Sequence, residues 1–306
     1  MTQQERIRRR VLRAITLNRT PGYHFPGNFI DLSFDRVESD SARVSYEADK
    51  ENATDLGSLA VLADFALGTA IRASLHPATR LATVSMTLEL GRLPGAGIVT
   101  AASRCHGFVG EGDSRTGRAR VSLEDSGGEI GYGSGAFMVL KPPPGVELHP
   151  VPHRKRSDAE PSVLAEADLA PDELRILRHA DEALERSAKS GQPFIRHFWG
   201  FLPQAERGGA LCVMPNGPHV GNRVGYVQGG ILFGLAAATA VAALPETWML
   251  SSVAAAFISP GDGPALEAQA TVVHQGQRVA VLRTELKRSD GRRVLEVMST
   301  HIARQG

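Results

Sequence analysis

The chain is poor in cysteine, in aromatic residues and in long apolar runs, and it carries almost no net charge. Its two cysteines, Cys105 and Cys212, lie far apart with no metal-ligand spacing around them. That excludes a disulfide scaffold or a zinc module and fits a reducing, cytoplasmic setting. Thirty-four Lys plus Arg against 33 Asp plus Glu leave a formal charge of +1, which argues against nucleic-acid or membrane-surface partners. The longest low-polarity run, Ile231 to Leu244, is short of the roughly 20 residues a membrane span needs and reads as a buried helix. The N-terminal MTQQERIRRRVLRAITLN has arginines where a secretory signal needs an apolar stretch, and no small-residue cleavage pattern follows. A structural helix accounts for it best, with a basic transit segment as the alternative. What the chain does contain is a globular balance of 42% hydrophobic and 22% charged residues over 306 positions, enough for two domains or one large one.

The two halves repeat one pattern. Ile7, Val11, Leu12 and Ile15 mark one face of a helix that stops before the turn at Asn18 to Gly22. A second helix opens at Pro171 with Asp172 and Glu173 in its first turn, carries Leu174, Leu177, Ala180 and Leu184, and ends at Gly191. After each come an aromatic-rich stretch (Tyr23 to Phe34; Phe194 to Phe201), a short strand (Arg43 to Ala48; Ala210 to Met214) and a long small-residue apolar helix (Gly57 to Ala73; Gly229 to Ala243). Four strand-like runs close each half: Thr83 to Leu90, Ile98 to Phe108, Gly117 to Glu124 and Ile130 to Leu140, then Ser251 to Ile258, Ala265 to His274, Arg278 to Lys287 and Val294 to Ile302. A period of about half the chain is too long for a solenoid and implies two copies of one α+β unit. The expected division is unit 1 at residues 1–141, a Pro-rich surface linker at 142–170 with the basic stretch His153 to Arg156, and unit 2 at 171–306.

Chemistry concentrates at the two apolar helices. Asn222-Arg223-Val224-Gly225-Tyr226-Val227-Gln228-Gly229-Gly230 leads into the second one; first-turn N–H groups lack intrahelical partners and can hold an oxyanion, while glycines also permit close packing. In the first, Asp64 is the only acid between Gly57 and Ala73, flanked at helical spacing by Ala60, Val61, Leu67 and Gly68. No polar stripe surrounds it, and burying an unpaired carboxylate costs on the order of several kcal/mol, so it is a candidate functional acid. His106 and His274 occupy matching strand ends and read as structural.

This order of helix, strand, Asn-x-x-Gly-x-x-Gln-Gly-Gly, apolar helix and four strands resembles the hotdog-fold acyl-CoA thioesterases, especially the phenylacetyl-CoA thioesterase branch, over both halves. The resemblance implies two tandem hotdog units paired as an internal pseudo-dimer, with the active site between them. In the family a His-Gly-Gly or variant opens the helix, and an Asp or Glu stands about eight residues after the first Gly. Here unit 2 keeps Gln228, Gly229 and Gly230 but has Ala237 at the carboxylate place, whereas unit 1 has Asp55-Leu56-Gly57 at the glycine place but keeps Asp64. Each half lacks what the other retains, so one composite site is expected and its reciprocal, Asp55 with Ala237, should be inactive.

The implied reaction is thioester hydrolysis. Gly229 or Gly230 would hold the oxyanion, Gln228 or Asn222 would orient substrate or water, and Asp64 would act as general base or as nucleophile, with Thr69 helping to hold the water. Arg278, Arg115 and Arg118 are the candidates for the nucleotide end of CoA. CoA is part of the substrate; no cofactor or metal is implied. The thiol could be CoA or an acyl carrier, and a homodimer of such chains is plausible. Two other readings stay open: a hotdog dehydratase or hydratase, which the lack of a His at either helix start disfavours, and a non-catalytic acyl-thioester binding protein, which the retained Asp64 disfavours.

Overall fold

The computed structural model describes residues 1–49, 55–76, 79–112, 115–141, 145 and 147–304. The triple proline at 142–144, where the expected linker begins, lies outside them. Unit 1 runs α1 (Gln3–Asn18), α2 (Phe25–Phe29), β1 (Ser33–Val37), β2 (Ser41–Ala48), α3 (Leu56–Arg72), β3 (Arg80–Leu90), β4 (Gly97–Val109), β5 (Thr116–Asp125) and β6 (Gly128–Leu140). Unit 2 repeats this order as α4 (Pro171–Ser190), α5 (Phe194–Trp199), β7 (Gln204–Glu206), β8 (Gly209–Pro215), α6 (Gly229–Ala242), β9 (Trp248–Phe257), β10 (Ala265–Gln275), β11 (Val279–Arg288) and β12 (Arg293–Ala303). The aromatic-rich stretches turn out to hold short helices, α2 and α5, which set Phe25, Phe29, Phe194, Phe198 and Trp199 into the core.

Local signals start and stop the helices where the sequence places them. At α1, Thr2 and Glu5 form a reciprocal capping box, with N···O distances of 2.7 and 3.2 Å. Helix α4 has Pro171 at its first position and ends on Gly191 at φ +71°, a left-handed conformation that suits glycine. The two central helices are capped alike: Asp55 accepts from the Ser58 N–H at 2.5 Å on α3, and the Gln228 side chain accepts from the Ile231 N–H at 2.9 Å on α6.

All twelve strands among the described residues join one antiparallel sheet in the order β1-β2-β4-β5-β6-β3-β9-β12-β11-β10-β8-β7. The order is palindromic about the β3–β9 seam, where Ser85, Met86, Thr87, Leu88 and Glu89 pair with Ala256, Ala255, Ala254, Val253 and Ser252. Each half of the sheet wraps its own central helix, and the two helices pack on each other within one core spanning both units. This α+β pair of helix-and-sheet units is the architecture the resemblance implied.

Glycines set the closeness of the helix pair. A Cβ on Gly230 would lie 2.6 Å from the Ala60 carbonyl oxygen, and one on Gly234 would lie 2.7 Å from the Gly57 Cα. Backbones this near leave no room for any side chain at those points.

The basic stretch after the prolines departs from the expected solvated linker. Arg154 is buried between Asp31 at 3.2 Å and Glu160 at 2.9 Å, two carboxylates that compensate its desolvation. Its carbonyl accepts from Phe34 N–H, and Arg156 N–H donates to Ser33 Oγ, so this segment docks along β1. Among the described residues no helix is long and apolar enough to cross a membrane.

Candidate active site

Asp64 lies on α3 where it meets the start of α6, and it is buried, with 8% of its surface exposed. Oδ1 accepts from Thr83 Oγ1 at 2.9 Å, and Oδ2 accepts from Gln228 Nε2 at 2.6 Å. Burial pushes the carboxyl up to about 6, against hydrogen bonds from Thr83 and the Gly230 N–H that hold it down. Gln228 is fixed at both ends of its amide: Oε1 caps α6 through Ile231 N–H while Nε2 reaches Asp64. The alternative amide orientation would set Oε1 against a carboxylate and Nε2 against an N–H, so the network defines the rotamer.

The two glycines of the helix start do different work. Gly230 packs against the backbone of α3, as described above, and directs its N–H at Asp64. Gly229 faces the acid: a Cβ there would lie 2.8 Å from Thr83 Oγ1 and 3.1 Å from Asp64 Oδ1. Its own amide has no hydrogen-bond partner among the described residues and sits at the positive end of the α6 dipole.

A cavity of about 470 Å³ opens beside this cluster. Its wall includes Asp64, Thr69, Thr83, Asn222, Gln228 and Gly229, so the structure gathers five of the sequence candidates around one space and adds Thr83. Thr83 is one hydroxyl in an alternating strand, and nothing local sets it apart in the sequence. Asn222 is committed to its own loop, its Oδ1 accepting from Val224 N–H at 2.9 Å and Tyr226 N–H at 3.1 Å. It shapes the loop over the cavity rather than aiming an amide oxygen at substrate. Leu148 and Val151, from the segment expected to be a solvent-facing linker, also line the wall.

Arg115, Arg118 and Arg278 do not reach this cavity. Arg115 stacks on the Phe108 ring at 3.8 Å, Arg118 points outward from β5, and Arg278 is exposed in the β10–β11 turn. Alternation along β5 explains Arg118, because neighbours Gly117 and Ala119 take the buried face. The cations that do line the cavity are Arg72, Arg80 and Arg223. Their places, at the end of α3, the start of β3 and the loop before Gln228, come together only through the fold. His106 and His274 are exposed and do not line the cavity.

The reciprocal helix start packs against aromatic side chains. Ala237 is buried, and Phe201 Cε2 lies where it would approach a Cβ on Gly57 at 2.8 Å and one on Gly234 at 3.2 Å. Trp199 is fully buried beside it. Asp55 there is a helix cap whose carboxyl burial also pushes up to about 6. Among the described residues no cluster of three or more His, Cys, Asp or Glu side chains is arranged to hold a metal.

Residues 219–303, from the loop before Gln228 to the end of β12, match the family model of the acyl-CoA thioesterase N-terminal domain. No curated protein matches the sequence. Among solved structures, a TesB protein of Mycobacterium avium subspecies paratuberculosis is similar at 13% identity, over 89% of this chain and 96% of that one, with a TM-score of 0.53. A conserved protein with a hot dog fold from Alicyclobacillus acidocaldarius is similar at 12% identity, over 93% and 99%, with a TM-score of 0.54. At these identities the likeness is one of fold. The chain is a tandem hotdog-fold protein whose second unit carries the acyl-CoA thioesterase domain match.

Proposed function

We propose that this protein hydrolyses an acyl thioester, of CoA or of an acyl carrier, at one composite site per chain. The observation that carries the reading is the 2.6 Å hydrogen bond joining Asp64 of unit 1 to Gln228 at the helix start of unit 2, beside an open cavity and the Gly229 amide, which has no partner among the described residues. The thioester carbonyl would point at Gly229 N–H, where the α6 dipole favours the negative charge that develops on its oxygen. As general base, Asp64 takes a proton from water while the water oxygen bonds to the carbonyl carbon. The C–S bond then breaks and the thiolate leaves with that proton, giving acid and thiol. As nucleophile, Asp64 would form an anhydride that water opens, with the same products. Gln228 holds the carboxylate in place in either route.

The dehydratase alternative asks for an imidazole beside the acid. His24, the histidine of the cavity wall, instead stacks on Phe65 at 4.3 Å between centroids, and burial with the nearby Arg223 and Arg72 pushes it down to about 3. Thiol release from a panel of aromatic and aliphatic acyl-CoAs, with wild type beside Asp64→Asn, tests the reading. Turnover in the wild type that falls by roughly 10³-fold or more in the variant supports it. Absence of turnover with every thioester, or equal turnover in both proteins, overturns it.

A further inference from the structure

We propose that Arg72, Arg80 and Arg223 form a receptor for an anionic group of the substrate, a phosphate of its thiol or a carboxylate at the far end of its acyl chain. The proposal rests on the hydrolase reading of the same cavity and specifies which substrates it takes. Asp64 is the one acid among the residues lining the cavity, whereas these three arginines line it together. Several arginines elsewhere meet carboxylates: Arg13 and Arg154 pair with Asp31 and Glu160, Arg19 with Glu173, and Arg92 with Asp125. None of the three cavity arginines has a carboxylate partner among the described residues. Arg72 donates to the Thr79 carbonyl and Arg223 donates to the His149 carbonyl at 2.8 Å. Backbone carbonyls orient a guanidinium but do not neutralise it.

Two like charges facing one partly buried space without a counterion oppose each other. Burial and the proximity of Arg223 lower Arg72 to about 9, in keeping with that opposition. A bound anion relieves it, and a planar guanidinium with its fork of donors suits phosphate or carboxylate. Spacing adds a selection rule. Arg72 lies eight residues beyond Asp64 on α3, about 12 Å along the helix axis, a spacing that suits an elongated ligand carrying its charge away from the thioester.

The test compares one neutral acyl group on N-acetylcysteamine, the same acyl group on CoA, and an ω-carboxyacyl group on N-acetylcysteamine. Each is assayed with wild type, R72K and the double variant R72Q/R223Q. The fall in kcat/KM in the double variant should be at least roughly tenfold greater for an anion-bearing thioester than for the neutral one. A selective fall with CoA assigns the site to a phosphate; a selective fall with the ω-carboxyacyl substrate assigns it to the acyl end. R72K, which keeps the charge, should lose less than the double variant. Equal effects on all three substrates overturn the proposal. Calorimetric titration of Asp64→Asn with free CoA and with a medium-chain dicarboxylate separates this outcome from failure of the hydrolase reading. Binding that disappears on adding R72Q/R223Q upholds the anion site even without turnover, and no binding of either probe overturns it.

Discussion

At the scale of single residues, the buried carboxyl of Asp64 couples activity and stability with opposite dependence on pH. Base or nucleophile chemistry requires the carboxylate, so kcat/KM should rise with pH through about 6 and level off above. Thr83→Val removes a donor that favours the charged form, and its acid limb should therefore lie higher than that of the wild type; an unmoved limb in a pH–rate profile would rule out Thr83 as the controlling hydrogen bond. Stability runs the other way. The folded value of Asp64 lies above its ordinary 3.8, so between about pH 4 and 6 the folded state binds more protons than the unfolded one. Its contribution is fully present at the low end and is lost as pH rises through about 6. Asparagine does not titrate, and its amide can satisfy both Gln228 and Thr83. Asp64→Asn should therefore be more stable than wild type at pH 8, by on the order of 2–3 kcal/mol, with the gap closing towards pH 4. Denaturant titrations at the two pH values check it, and a gap independent of pH would refute it.

At the scale of elements, the site depends on how closely α3 and α6 cross. Gly230 lies against the Ala60 carbonyl and the Val61 backbone, and Gly234 lies against Gly57. Gly234→Val should push the helices apart at a point some 5–8 Å along α6 from Gly229, costing about 2–4 kcal/mol of stability by overpacking and stretching the Asp64–Gln228 contact. Loss of both melting temperature and kcat is expected, whereas a surface substitution on α4 such as Glu185→Gln should alter neither. Most of these elements were legible in the sequence because their signals are local: Pro171 and Gly191 punctuate α4, alternation marks the strands, and small apolar residues mark α3 and α6. Helices α2 and α5 were not, since five or six residues are too few to show a helical period. The docking of Arg154 escaped as well, because a charged residue after prolines has no local sign that Asp31 and Glu160 will meet it.

At the scale of the whole molecule, the repeated pattern of the two units explains why the candidate site was half legible. Asp64 and the Gln-Gly-Gly start were readable because a repeat exposes what each copy lacks, and the fold brings both to one place. Thr83 and the three cavity arginines were not, because no repeat or spacing links β3, the end of α3 and the loop before α6. The same logic predicts how the reciprocal position responds to mutation. Asp55 is the helix cap of α3, matching Gln228 on α6, and Asn caps about as well as Asp; Asp55→Asn should keep most of the turnover that Asp64→Asn abolishes. Supplying the missing acid with Ala237→Asp should not create a second site. Ala237 is buried in the same apolar core as Phe201 and Trp199, which pack against Gly57, so a carboxylate there loses its hydration without gaining the Gln228 and Thr83 donors that hold Asp64. Ala237→Asp should therefore lose stability by several kcal/mol on the order of other unpaired buried charges, and in Asp64→Asn/Ala237→Asp activity should stay absent. Titration of the wild type with a non-hydrolysable thioester analogue should saturate at one equivalent per chain, and two equivalents, or activity recovered in that double variant, would mean that the two sides remain functionally alike.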